Sequence, residues 1–119
     1  MKQFNNQSDH LQQLSVLELA TLLNQEAGRP TDLQLLDVRE DWETEIASIE
    51  GSLFIPMGEL PERFAELQKT APVVCICHHG VRSMQVAYFL EHQGFTQVAN
   101  LAGGIDAWAR EVDITCASY

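Results

Sequence analysis

The sequence predicts an α/β domain with a mostly parallel central sheet of about five strands and helices on both faces. Three observations carry this expectation. Short apolar runs rich in β-branched residues, such as Val73-Val74-Cys75-Ile76, alternate with segments of helical periodicity. Strands that alternate with helices argue for parallel pairing, with both faces of the sheet covered. The length of 119 residues, 45% of them hydrophobic, fits one domain with a real core.

Each element has its own local reason. Residues 1–10 read as a loose tail rich in Asn and Gln, and residues 11–119 as the domain. Leu11 to Leu14 reads as a short edge strand. Ser15-Val16-Leu17-Glu18 is a capping-box signature, opening a helix with Leu19, Leu22 and Leu23 inward that ends near Gly28, with Pro30 beyond. Leu33 to Val38 is the next strand. Asp41 to Ile46 is a short helix with Trp42 and Ile46 on one face. Ser52 to Ile55 is a strand stopped by Pro56, and Gly58 to Gln68 a helix burying Leu60, Phe64 and Leu67. After the strand that starts at Val73, Ser83 to His92 carries Val86, Ala87, Phe89 and Leu90 as an apolar stripe, closed by Gly94. Gln97 to Leu101 supplies the last strand, Gly103-Gly104 a turn, and Ile105 to Arg110 a final short helix. Trp42 and Trp108 are expected as core aromatics.

The chemistry concentrates where the central strand gives way to a tight loop, Cys77-His78-His79-Gly80-Val81-Arg82-Ser83. A strand, a glycine-containing loop and a helix direct backbone N–H groups and the positive helix end at one point. Cys77 sits at the mouth of that cradle, and Arg82 adds a positive charge. Both favour the thiolate, the nucleophilic form of cysteine. In such sheets sites form beyond the carboxyl ends of strands, so Cys77 and Asp37 should share one edge. Cys75, two residues upstream on the same strand face, reads as core, and Cys116 as incidental. Adjacent histidines in a tight loop do not easily converge on one ion, and no further ligand cluster is evident. No metal is therefore expected, and His78 and His79 are read as lining the entrance and tuning local charge. Ser83 reads as a helix-start residue whose hydroxyl turns into the loop.

Four stretches, in order, resemble the rhodanese-like sulfurtransferases: Leu35 to Glu40, Ile55 to Leu60, Cys77 to Ser83, and Leu101 to Trp108. The resemblance runs over about residues 14–111. It implies two-step sulfur transfer, in which Cys77 takes the outer sulfur of a donor, such as thiosulfate or a persulfide, and passes it to a thiol, cyanide or protein acceptor. On this reading His78, His79, Gly80, Val81 and Arg82 bind substrate, and Asp37, Arg39 and Ser83 support the loop. No metal or organic cofactor is required. Arg82 either binds an anionic donor or pairs with Asp37 across the strand ends. His78 stands where many family members carry arginine, and Ala47 to Ser52 departs from the family's usual glycine-histidine-isoleucine pattern.

Two other functions share features of this loop or fold. A cysteine phosphatase or arsenate reductase also uses a loop cysteine and arginine, but with five residues between them; here His78, His79, Gly80 and Val81 make four. A non-catalytic interaction module of the same fold usually lacks the cysteine, which is present here. Seventeen acidic against seven basic residues give a net charge of -10, which disfavours nucleic acid or an anionic membrane as partner. The polar first ten residues lack a signal-peptide core, no apolar run reaches spanning length, and two of three cysteines lie in a strand. The cytoplasm is the expected compartment.

Overall fold

A computed structural model describes residues 11–24 and 32–119. The expected tail lies outside them, as do Gly28 and Pro30. Five strands, β1 (Gln12–Leu14), β2 (Gln34–Asp37), β3 (Leu53–Phe54), β4 (Val73–Ile76) and β5 (Val98–Leu101), form one sheet in the order β1-β5-β4-β2-β3. All four pairings are parallel. β4 lies in the middle and is wholly buried, which is why its sequence is apolar without alternation.

Successive side chains of β4 serve opposite layers. Val73, Cys75 and Cys77 join Leu36, Val38, Ile55, Leu60, Val86 and Leu90 on one face. Val74 and Ile76 join Leu14, Leu19, Leu35, Leu101, Ile105 and Trp108 on the other. Helices α3 (Leu60–Arg63) and α4 (Val81–His92) cover the first face, and α1 (Val16–Leu23) and α5 (Gly104–Glu111) the second. The capping box holds at α1: Glu18 N–H donates to the Ser15 hydroxyl at 3.0 Å, and Ser15 N–H to the Glu18 carboxylate at 2.9 Å. Such a cap contributes about 1 kcal/mol. Gly94, at φ 95°, follows the end of α4 as expected.

The expected helix over 58–68 is broken into a 3-10 turn at Met57–Glu59, the single α-turn of α3, and a second 3-10 turn at Phe64–Glu66. Pro61 is the cause: it lacks an N–H and fits only the first turn of a helix, so the α-helical segment restarts there. Leu60 and Leu67 are still buried. α1 ends at Leu23, with Asn24 as its C-cap, earlier than Gly28. α4 starts two residues before Ser83, with Gly80 as its N-cap. Trp42 is not a core aromatic. It is 60% exposed, because α2 (Asp41–Ile46) turns Glu43 inward instead.

Candidate active site

The register places Leu36 beside Cys75 and Cys75 beside Asn100, so β2, β4 and β5 end together at one sheet edge. Asp37 and Cys77 share that edge. Cys77 is only 1% exposed, and its Sγ accepts hydrogen bonds from the Gly80 N–H at 3.0 Å and the Ser83 hydroxyl at 3.3 Å. A hydrogen bond from a fixed backbone N–H favours the anionic sulfur without needing a side chain to reorganise. Gly80 reaches that position at φ 102°, backbone that side-chain-bearing residues rarely adopt.

Ser83 sits wholly buried in the first turn of α4, and its hydroxyl also contacts the Asn100 side-chain oxygen. The hydroxyl has a single hydrogen to give, so a thiolate at Cys77 competes with Asn100 for it. Asn100 in turn donates to the Gly80 carbonyl at 3.2 Å and to Gln13 at 2.9 Å. This ties the loop to β5 and to the edge strand β1.

The second helix grips the loop from the other side. Ile105 N–H donates to the Cys77 carbonyl at 2.9 Å, and Asp106 N–H to the His78 carbonyl at 3.0 Å. Gly104 permits this approach. A Cβ there would lie 2.3 Å from the Cys77 oxygen and 2.5 Å from the His78 oxygen. Two helix N-termini therefore converge on one cysteine loop.

The charged residues pair differently from the sequence expectation. Arg82 does not reach Asp37; it makes a two-pronged pair with Glu43, at 2.6 and 2.8 Å. Asp37 is taken by Arg39, both fully buried, at 2.7 Å. Arg39 also donates to the Ala47 carbonyl at 2.6 Å and to the Tyr119 hydroxyl at 2.8 Å, and that hydroxyl donates to Glu43 at 2.9 Å. Asp37, Arg39, Tyr119, Glu43 and Arg82 are thus one chain of contacts. Hydrogen bonds from Arg82 hold the Glu43 carboxyl at a pKa of about 2 against the opposing cost of burial, and Glu43 holds Arg82 firmly protonated. Burial pushes the Cys75 thiol up, an inert core thiol as expected.

Tyr119 and Glu43 were not singled out in the sequence. The Tyr119 ring stacks on His78 at 3.9 Å and 9°, meets exposed Trp42 edge-on at 5.9 Å, and so reaches the cysteine loop. Cys116, on the same segment, is half-buried against the second core layer. His78 is biased toward its neutral form, chiefly by burial. The two histidine rings lie 4.0 Å apart, and each brings a ligand atom within 4.8 Å of the other and of Asp106, a cluster that the sequence did not make evident. His79 and Val81 are exposed. A cavity of about 410 Å³ opens beside the loop against Gly80, Val81, Tyr88 and Gly103. It flanks the cysteine loop, and Cys77 does not line it. Among the described residues no helix is long and apolar enough to cross a membrane.

Comparison with known proteins places the sequence and fold in a family. The rhodanese-like domain profile matches residues 16–111. A sulfurtransferase of Allochromatium vinosum is 40% identical over 74% of this chain and 82% of its own. A thiosulfate sulfurtransferase of Coxiella burnetii is 35% identical over 70% of this chain and 78% of its own. A rhodanese-related protein from Thermoplasma volcanium superposes with a TM-score of 0.74 at 30% identity, covering 85% of this chain and 93% of that one. With a parallel five-stranded sheet, a cysteine loop at its carboxyl edge, and a family match across most of its length, the chain belongs to the rhodanese-like family.

Proposed function

We propose that the protein moves a sulfane sulfur from a donor such as thiosulfate to a thiophilic acceptor, through a persulfide on Cys77. The observation that carries this reading is the Cys77 Sγ held at 3.0 Å by the Gly80 N–H inside a loop bounded by two helix N-termini. In the first step the thiolate attacks the outer sulfur of the donor. A new S–S bond forms, the donor's own S–S bond breaks, and for thiosulfate the electron pair leaves with sulfite. In the second step the acceptor attacks the outer sulfur of the persulfide. That bond forms as the Cys77–sulfur bond breaks, returning the thiolate.

The loop acts on the charge common to both resting forms, thiolate and persulfide. Gly80 N–H and the Ser83 hydroxyl supply fixed donors, as an oxyanion hole does for acyl transfer. Arg82 acts as a positioning residue here, since Glu43 holds both of its terminal nitrogens. Asp37 and Arg39 brace the strand end from beneath. The four-residue spacing from Cys77 to Arg82 favours a compact sulfur over a tetrahedral phosphate.

The test is an intact-mass measurement after incubation with thiosulfate, and separately with a low-molecular-weight persulfide. The expected result is a gain of one sulfur atom, lost again on adding cyanide or a thiol, and absent in Cys77→Ser. Sulfur retained by Cys77→Ser and lost in Cys75→Ser would refute Cys77 and assign the chemistry to Cys75. No gain with either donor would remove the activity.

A further inference from the structure

His78, His79 and Asp106 bring three ligand atoms to within 4.8 Å of one another, one residue beyond Cys77. We infer that this cluster is a binding site for a divalent transition-metal ion of zinc type, on the outer face of the cysteine loop. Two imidazoles and a carboxylate are a donor set suited to such ions, and three protein ligands leave a fourth position for solvent.

The cluster is built by backbone. The Asp106 N–H donates to the His78 carbonyl at 3.0 Å, and Ile105 N–H to the Cys77 carbonyl at 2.9 Å. These bonds lock the first turn of α5 to the loop that carries both histidines, so the ligands come from two elements fixed against each other. The His79 Nδ1 stands 3.8 Å from an Asp106 carboxylate oxygen, too far for a hydrogen bond. A tetrahedral zinc with bonds near 2.0–2.1 Å separates its ligand atoms by about 3.3 Å. The gap is therefore close to what an ion requires, and His79, with a side chain 63% exposed, is free to close it.

Two further observations point to a ligand. The His78 Nε2 is buried and has no hydrogen-bond partner among the described residues. Such an orphaned atom costs about 1–3 kcal/mol in the unliganded protein. The His78 ring is clamped by the stacked Tyr119 ring, which fixes the orientation of the imidazole. Arg110 donates to the Asp106 carboxylate at 3.2 Å. Metal-binding carboxylates are commonly oriented by such an outer partner.

Calorimetric titration with zinc chloride, in a buffer that does not chelate metal, tests the site independently of sulfur transfer. The expected result is one equivalent bound, with His79→Ala and Asp106→Asn each weakening affinity by about tenfold or more. His92→Ala, far along α4, should leave it unchanged. Imidazole proton resonances of His78 and His79 should shift with zinc while those of His92 do not. Binding that survives both His79→Ala and Asp106→Asn would overturn the assignment. So would binding lost in Cys77→Ser, which would put the ion on the thiol. No heat and no resonance shift at millimolar zinc would overturn it as well.

Discussion

Replacing Gly104 with alanine should damage the protein through one close approach, and two other glycines provide the comparison. At Gly104 the backbone has φ +59°, and an added Cβ would lie 2.3 and 2.5 Å from the Cys77 and His78 carbonyl oxygens. The left-handed conformation costs a non-glycine residue roughly 1 kcal/mol. Relieving the clash means moving α5 off the loop, which stretches the two N–H···O bonds of 2.9 and 3.0 Å. Those contribute about 0.5–1.5 kcal/mol each. The alanine chain loses less entropy on folding, which returns about 0.4–1 kcal/mol. The net expected loss is about 1.5–3 kcal/mol. Gly51 has φ +89° but open space around it, so Gly51→Ala isolates the conformational cost and should lie within about 0.5 kcal/mol of wild type. Gly58 has neither positive φ nor a neighbour within 4 Å, and Gly58→Ala should be neutral or slightly stabilising. Urea unfolding of the three variants at constant m-value reads the series. If Gly104→Ala falls within about 0.5 kcal/mol of Gly51→Ala, the argument from close helix approach is wrong.

Glu43→Gln should destabilise at neutral pH and matter less in acid. The folded carboxyl has a pKa of about 2 against 4.5 unperturbed, so its stabilisation is present above pH 4.5 and lost as pH falls toward 2. The full shift corresponds to about 3 kcal/mol, and the one-third exposure of Arg82 reduces it to roughly half. Urea midpoints of wild type and variant should converge between pH 6 and pH 3; a constant gap would contradict the linkage. Tyr119→Phe removes a hydroxyl bridging Arg39 and Glu43 but keeps the stack on His78, so it should cost about 1 kcal/mol, and Tyr119→Ala distinctly more, in the same unfolding assay. Ser83→Ala should slow sulfur loading of Cys77 by roughly a hundredfold, the weak end for loss of one anion-stabilising donor, as timed by intact mass. An unchanged rate would remove Ser83 from the transition state.

What the sequence made legible was whatever a local pattern decides. The capping box at Ser15 and Glu18, the unbroken apolar run of β4, and Gly94 after α4 each act through neighbours in the chain, and each appears where expected. The same holds for Cys77 at the strand-to-loop junction, because strand end, glycine and helix start are consecutive. The failures are of a different kind. A helix over 58–68 had the right periodicity, but Pro61 overrode it, a local signal that was passed over. Trp42 was assigned inward by hydrophobicity, yet a six-residue helix can turn only one narrow face inward. That face went to Glu43, whose carboxylate receives Arg82 and the Tyr119 hydroxyl. No periodicity announces an inward carboxylate whose partners lie dozens of residues away.

The role of Arg82 is likewise not decided by its spacing to Cys77. Its partner is chosen by the rotation of α2, and that rotation is set where Glu43 reaches back to the Glu40 N–H at 3.0 Å while receiving Arg82 and Tyr119. With Asp37 held by Arg39, and Asp106 by Arg110, three arginines around the loop already face carboxylates. A cation committed to a carboxylate attracts a third charge more weakly than a free one, because the two charges of the pair oppose each other. The groups that touch the Cys77 sulfur are neutral donors, the Gly80 N–H and the Ser83 hydroxyl, in a loop whose carbonyls are held by the start of α5. The first is fixed by the backbone of the loop and the second by the burial of Ser83 in α4. The arginines stand one step back from the sulfur: Arg82 holds Glu43, and Arg39 holds Asp37 and Tyr119.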